Sequence, residues 1–273
     1  MTSTLSMISM ISEKASIGAN VTLGAHVRIH DNVVLGDHCS IGDFCIIGHP
    51  AGGDYRGKPL VIGAGAVIRS HSVLYEGSTF GPDLRVGHTS LIREGVTAGR
   101  NFQIGSFNDL EGEAEVGDWV RFHSNVHIGR GAVIGDLVWI FPYAVLTNDP
   151  IPPSGLKEGV TLGAGSAVCT SAVVLPGTRV GRGAFIGAMT RARGDIPGGA
   201  LVVGPEGAIV GTIRKLRHKP SGKQHPWMSH FATYYPAEAQ ERIAALHREV
   251  EADIVALEAQ LAQLARAKEG TAR

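Results

Sequence analysis

From Ile62 onward an aliphatic or aromatic residue returns every sixth position: Ile62, Ile68, Leu74, Phe80, Val86, Ile92, Ala98, Ile104, Leu110, Val116, Phe122, Ile128, Ile134, Ile140, Leu146. Ala98 is the weak member of this phase. An earlier block runs Ile17, Leu23, Ile29, Leu35, Ile41, Ile47, and a later one Leu162, Val168, Val174, Val180, Ile186. A small residue tends to follow four places on, and Gly often follows directly. A six-residue period fits neither the 3.6 of a helix nor the plain alternation of a strand. It predicts short strands joined by tight turns, each sending one large and one small side chain inward, with three strands closing an 18-residue coil. These blocks predict roughly nine coils. Segments 50–61 and 149–161 break the phase and are expected as loops, which in this setting tend to cover a ligand.

After Gly211 the pattern changes. A basic segment holding Arg214, Lys215, Arg217 and Lys219 leads through a His/Pro-containing linker to an Ala/Glu/Leu-rich stretch from Pro236. There Ile243, Val250, Ile254, Leu257, Leu261 and Leu264 keep a 4-3 spacing if His247 takes one seam position, which predicts a helix. Pro236 suits its first turn, and Glu238 and Glu241 suit its N-terminal dipole. The helix packs either on its own coils or in a trimeric cluster. The expected organisation is a repeat domain over 1–213 and a linker with helical tail over 214–273.

Composition sharpens this. Glycine, 37 of 273 residues, is nearly twice the usual ~7%, as a turn-rich fold requires. The 25 basic residues balance 25 acidic ones, so no broad field points to nucleic acid. No stretch approaches the ~18 apolar residues of a membrane span, and Met1 to Ser12 lacks the basic flank of a signal peptide, so a cytoplasmic protein is expected. Cys39, Cys45 and Cys169 form neither a disulfide framework nor a metal pair and are expected as buried thiols.

Outward positions must carry any chemistry, because packing accounts for the inward ones. On the 18-residue period Val73, Leu91, Asp109, His127 and Val145 form one column, and Glu76, Glu94, Gly112, Arg130 and Asn148 a corner column. His88 and His123 are 35 apart, out of register for shared metal ligation, so no metal is expected. His218, His225 and His230 are read as solvated or capping residues. Trp139, outward with Arg121 one coil away, is expected under a subunit contact or a stacked base.

The period resembles the left-handed β-helix of the hexapeptide-repeat acyltransferases, and only that resemblance gives the hand, since parallel crossovers are normally right-handed. The expected fold is thus all-β, a left-handed parallel β-helix with a C-terminal α-helical tail. The runs HSNVHIG (123–129) and TNDPIPP (147–153) are similar to enzymes that N-acetylate nucleotide-linked (dTDP) amino-deoxysugars. The run 191–213 resembles the terminal coil of the wider superfamily, but Gly204, Pro205 and Glu206 stand where Asn-Pro-Ala is usual. The resemblance implies a cytoplasmic homotrimer moving an acyl group, acetyl above all, from acetyl-CoA or another acyl-CoA to a nucleotide-linked amino sugar.

In such a transfer the amine must shed a proton, which a base near neutrality helps to take and which the departing thiolate could also accept. His123, at a corner, is the preferred base, and His127, mid-face, is equally able chemically. The resemblance gives Asn148 the orienting of the sugar and Asp149 a hold on its amine or hydroxyl; an Asx turn before Pro150 is the alternative for both. Glu94 and Glu111 are weaker candidates for sugar hydroxyls, otherwise plain surface. Gly163, Ala164, Ser166 and Ala172 are expected beside the pantetheine arm, and Arg214 and Lys215 at the coenzyme phosphates or else solvated. Two rivals remain open: a UDP-hexosamine acyltransferase of lipid A type, whose expected Asn-Ala-His-Ile-Ala-His-like run is absent, and a non-catalytic assembly module.

Overall fold

A computed structural model describes residues 9–222 and 234–271. The chain is all-β, a left-handed parallel β-helix with a C-terminal helix. Its strands, most of them two residues long, assort into three faces of ten, ten and eleven strands, about eleven turns rather than the nine counted from the strict hexads. The difference lies at the ends. Met10–Ile11, Arg191–Ala192, Asp195–Ile196 and Ala200–Val203 are strands although the pattern has weakened there. Two compact units, 1–133 and 134–273, divide the chain.

In the first unit each strand pairs in parallel with the one a coil later. Val73, Leu91, Asp109 and His127 are successive partners on one face, Thr79, Thr97 and Glu115 on the second, and Val67, Arg85, Gln103 and Arg121 on the third. Where the first loop intervenes the register lengthens: Ile46 faces Val73, Val34 faces Val61 and Ser40 faces Val67. Inward hexad residues are buried throughout, including Leu74, Phe80, Ile92, Leu110 and Ile128. The weak hexad Ala98 lies in register with Phe80, so a large ring beside a small side chain keeps the volume filled. Phe102 and Phe122 meet edge to face at 5.0 Å. Three interior polar side chains are satisfied between rungs: Ser72 and Ser90 each accept a backbone N–H 18 residues on and donate to a carbonyl, and Asn108 accepts from the Val126 N–H.

Corners take a left-handed conformation, where glycine or Asn/Asp is favoured. Asn20, Asn32, Asn101 and Asn125 follow that rule, yet Phe44, Phe107, Trp119, Leu137, Tyr143 and Met189 also sit at φ of 56–63°. Ladder hydrogen bonds on both sides of a corner fix its backbone and offset the strain of a bulky side chain.

In the second unit Trp139 faces Ala167 and Val145 faces Val173 across the second loop, and Thr161 faces Arg179 at the ordinary 18. Ala200–Val203 then turns back antiparallel against Ala208–Thr212. The tail helix, α1 (Gln240–Thr271), follows a 3-10 turn at Ala237–Ala239. It packs on coils of its own unit. Cβ atoms on Gly183 and Gly199 would come within 2.6 Å of Val250 Cγ1 and 2.3 Å of Ile254 Cγ1, so the glycines let the helix approach. The seam is Ile243, Leu246, Val250, Ile254 and Leu257, all buried, while His247 and Leu264 are exposed. The expected His247 position is therefore corrected to Leu246. A helix resting on a β surface keeps the period of a straight helix, not the 3.5 of a supercoil. Arg182 pairs with Glu249 and Asp253, Arg242 with Asp136 and Glu249.

Candidate active site

In the first unit Leu110 and Ile128 point into the core, so their strand neighbours Asp109 and His127 point out, side by side. His127 Nδ1 lies 3.1 Å from Asp109 Oδ2, and Nε2 lies 3.7 Å from Glu111 Oε1. A carboxylate on Nδ1 fixes that nitrogen as the N–H donor and leaves the Nε2 lone pair to accept a proton. His127 thus has what a general base needs, an orienting acid on one nitrogen and a second carboxylate near the other.

The adjoining corner is an ion network. Arg130 donates from Nη2 to Glu94 at 2.7 Å and from Nη1 to Glu113 at 2.8 Å, and its backbone N–H meets Glu111 at 3.2 Å. Gly112, at φ +100°, closes the turn, where a Cβ would stand 2.4 Å from the Glu94 carbonyl oxygen. Glu94 is not plain surface but buried. Burial works to raise its pKa, but its backbone N–H, Arg93 and Arg130 together hold the carboxyl below its usual range. Its carboxylate braces the corner and is not displayed to a ligand.

His123 follows inward Phe122 at a corner of the third face, with its backbone against Gly105, where a Cβ would meet the His123 carbonyl carbon at 2.6 Å. Burial pushes its imidazole below the ordinary value, which favours the neutral, proton-accepting form.

In the second unit Asn148 is buried, and its carbonyl accepts the Glu158 N–H across the loop. Asp149 accepts from the Ile151 and Ser154 backbone N–H groups and from the Ser154 hydroxyl, which holds its carboxyl below the usual range. The Asx turn is therefore formed. Gly163 and Ala164 are half-buried, whereas Ser166 and Ala172 are fully buried and face the interior, so the expectation that they line a cofactor path is corrected. Arg214 pairs with Glu251 and Glu258 of α1, and Lys215 donates to the Val210 carbonyl. Trp139 donates to the Tyr235 hydroxyl at 2.7 Å, so the chain's own tail meets the ring.

Cys39 and Cys45 are buried, and Cys169 is half-buried with its thiol pushed up to about 12 by desolvation. His218 hydrogen-bonds Ser221; His225 and His230 lie outside the described residues. Among the described residues no group of three or more His, Cys, Asp or Glu is placed to hold a metal, and no helix is long and apolar enough to cross a membrane. Sequence reasoning placed Asp109 in the His127 column without giving it a role, although the 18-residue spacing from a histidine was the signal. Arg93 and Arg130 were missed as Glu94's partners, and Glu113 as the second carboxylate on Arg130.

Residues 14–49 match the family described as bacterial transferase hexapeptide (six repeats). Among curated proteins, the bifunctional protein GlmU of Corynebacterium aurimucosum is 31% identical over 162 residues, covering 58% of this chain and 31% of its own length. That of Nocardia farcinica is 33% identical over 165 residues, covering 58% and 31%. The chain spans about a third of the length of these relatives. Among solved structures, a UDP-N-acetylglucosamine acyltransferase from Campylobacter jejuni superposes with a TM-score of 0.53 at 18% identity, covering 86% of this chain and 79% of that one. The Arabidopsis UDP-N-acetylglucosamine acyltransferase gives 0.50 at 15% identity, covering 75% and 72%. The period read from the hydrophobic positions thus matches the bacterial transferase hexapeptide repeat over residues 14–49, and the chain's fold is similar to that of these two acyltransferase structures.

Proposed function

We propose that this chain transfers an acyl group from acyl-coenzyme A to the amino group of a nucleotide-linked amino-deoxyhexose, acting as a homotrimer. The observation that carries the reading is His127 held between Asp109 and Glu111 on the outer face of a hexapeptide-repeat β-helix. The amine lone pair attacks the thioester carbonyl, forming the C–N bond and a tetrahedral oxyanion. Collapse breaks the C–S bond and releases a thiolate of pKa near ~8.5, which leaves without a strong acid. The amine proton passes to His127 Nε2, where Glu111 stabilises the imidazolium, and from there to the departing thiolate. His123, preferred from the sequence, is exposed, and partial desolvation lowers its pKa; it is the rival acceptor. Asn148 orients the sugar, and Gly163 and Ala164 border the pantetheine arm. Use of Arg214 and Lys215 for the coenzyme phosphates requires exchange of their present partners.

The test is thiol release from acetyl-coenzyme A in the presence of nucleotide-linked amino sugars. His127→Ala is expected to lower kcat by about 10²-fold or more, and His123→Ala by less. No thiol release with any amino-sugar nucleotide sinks the reading; full activity in His127→Ala sinks the assignment of the base. A second reading, acylation of a UDP-hexosamine, is favoured by the two fold relatives, both described as UDP-N-acetylglucosamine acyltransferases. Activity only with long acyl chains on a carrier protein would establish it instead.

A further inference from the structure

The third face of the first unit carries a cleft of about 350 Å³ that the chemistry above leaves unused. Arg69, Arg85, His88, Gln103, Ser106 and Ser124 line it, and no carboxylate does. Arg85 lies in register between Val67 and Gln103, so its side chain stands mid-face, and Arg69 follows inward Ile68 on the neighbouring coil. Among the described residues Arg93, Arg130, Arg179, Arg182, Arg191, Arg214 and Arg242 are each ion-paired with a carboxylate. Among the described residues Arg69 and Arg85 have no acidic partner, and both are exposed.

The hydroxyls point the same way. Ser106 Oγ accepts the His88 N–H at 3.0 Å and Ser124 Oγ accepts the Ser106 N–H at 3.2 Å. Interior Ser72 and Ser90 accept in the same manner but return their own proton to the Gly87 and Gly105 carbonyls. Among the described residues the Ser106 and Ser124 protons go to no such acceptor, which leaves two O–H donors for the cleft. His88 shares a hydrogen bond between Nδ1 and Ser70 Oγ at 2.9 Å, which anchors the ring and leaves Nε2 for a ligand. Two forked cations, two hydroxyl donors and an anchored imidazole form a set that an acceptor-rich anion satisfies.

We infer that this cleft binds the diphosphate group of a ligand, with Arg69 and Arg85 as its charge partners and Ser106 and Ser124 as hydroxyl donors. The inference rests on the acyl-transfer reading for the origin of that group, since both a nucleotide-linked sugar and coenzyme A carry a diphosphate. The volume suits a diphosphate with part of an attached ring.

Calorimetric titration of the full chain with dTDP, UDP, coenzyme A and inorganic pyrophosphate, separately, tests it. At least one of the three organic ligands is expected to bind and to be displaced by pyrophosphate, and binding should weaken with added salt. The organic ligand that binds assigns the source. The Arg69→Gln/Arg85→Gln double variant should weaken that binding about a hundredfold while the melting temperature stays put, and Arg56→Gln, on the first loop, should leave it unchanged. Equal affinity of the double variant and the parent overturns the inference, as does failure of pyrophosphate to compete. An unchanged KM for the nucleotide and for coenzyme A in the double variant, with thiol release intact, overturns the cleft and leaves acyl transfer standing. Diphosphate binding lost in the double variant, without thiol release from any amino-sugar nucleotide, keeps the cleft and removes the transferase reading.

Discussion

Two loops interrupt the same repeat, and the chain treats them in opposite ways. The first is built in. Buried Glu76 accepts the Ala51 and Gly57 backbone N–H groups, both at 2.9 Å, Asn32 donates to the Gly57 carbonyl, and a 3-10 turn at Gly53–Tyr55 lays the Tyr55 ring against Gly77 and Gly95. Lys58 covers that ring from 4.8 Å. The second loop is tied by an exposed Asx turn at Asp149, by the Leu156 N–H on Ser154 Oγ, and at its far end by Glu158, whose N–H meets the Asn148 carbonyl and whose carbonyl accepts the Gly177 N–H; it leaves Ile151 72% and Leu156 53% exposed. The first loop is thus part of the scaffold. The second keeps these apolar side chains in water.

Glu76→Ala is the change that should break this contrast most severely. It strands two N–H donors, one of them buried, and should cost about 3 kcal/mol in denaturant unfolding of the full chain. A cost near zero would mean the loop does not depend on that carboxylate. Gly95→Ala comes next, at about 2 kcal/mol. Its Cβ would lie 2.6 Å from Tyr55 Cζ, and the backbone there, at φ +74°, resists any side chain. In a Tyr55→Ala background the steric part should vanish and the backbone part persist, so the double-mutant cycle divides the cost.

Acid should separate the two loops by pH window. His30, beside the first, has its pKa lowered chiefly by desolvation, so the unfolded chain takes up that proton first. Stability from this site is complete above the unfolded value of about 6.5 and falls as pH drops through it, and His30→Ala should flatten the slope between pH 7.5 and 5.5. Asp149 is also depressed, by Ser154 above all, so what it contributes is present above about pH 4 and is lost only below. His123 shifts in the same direction as His30, so a single variant should reduce the slope without abolishing it. Smallest in global effect is Asp149→Ala. The denaturation midpoint should hardly move, while limited proteolysis within 150–160 should quicken; an unaltered cleavage rate would show that the Asx turn does not order the loop.

The repeat was legible because packing imposed it. Each coil has one interior and three faces, so the inward residue recurs with a fixed phase, and both interruptions showed as breaks in that phase. The His127–Asp109 pair was half legible, because an 18-residue offset places two outward side chains side by side without saying that they touch. Glu94 was legible only as a member of the corner column that also holds Arg130. A carboxylate at a corner looks like surface until its arginine partners, Arg130 36 residues away, are seen to enclose it.

By itself, then, the sequence determined the coil, its two breaks and the helical tail, since these follow from periodicity along the chain and periodicity is a one-dimensional property. Only the tertiary structure decided which face of α1 is buried, which of the outward arginines are already paired, and that Ser166 and Ala172 point inward. Those outcomes depend on neighbours tens of residues away, brought together by closure of the coils, and no local spacing encodes them.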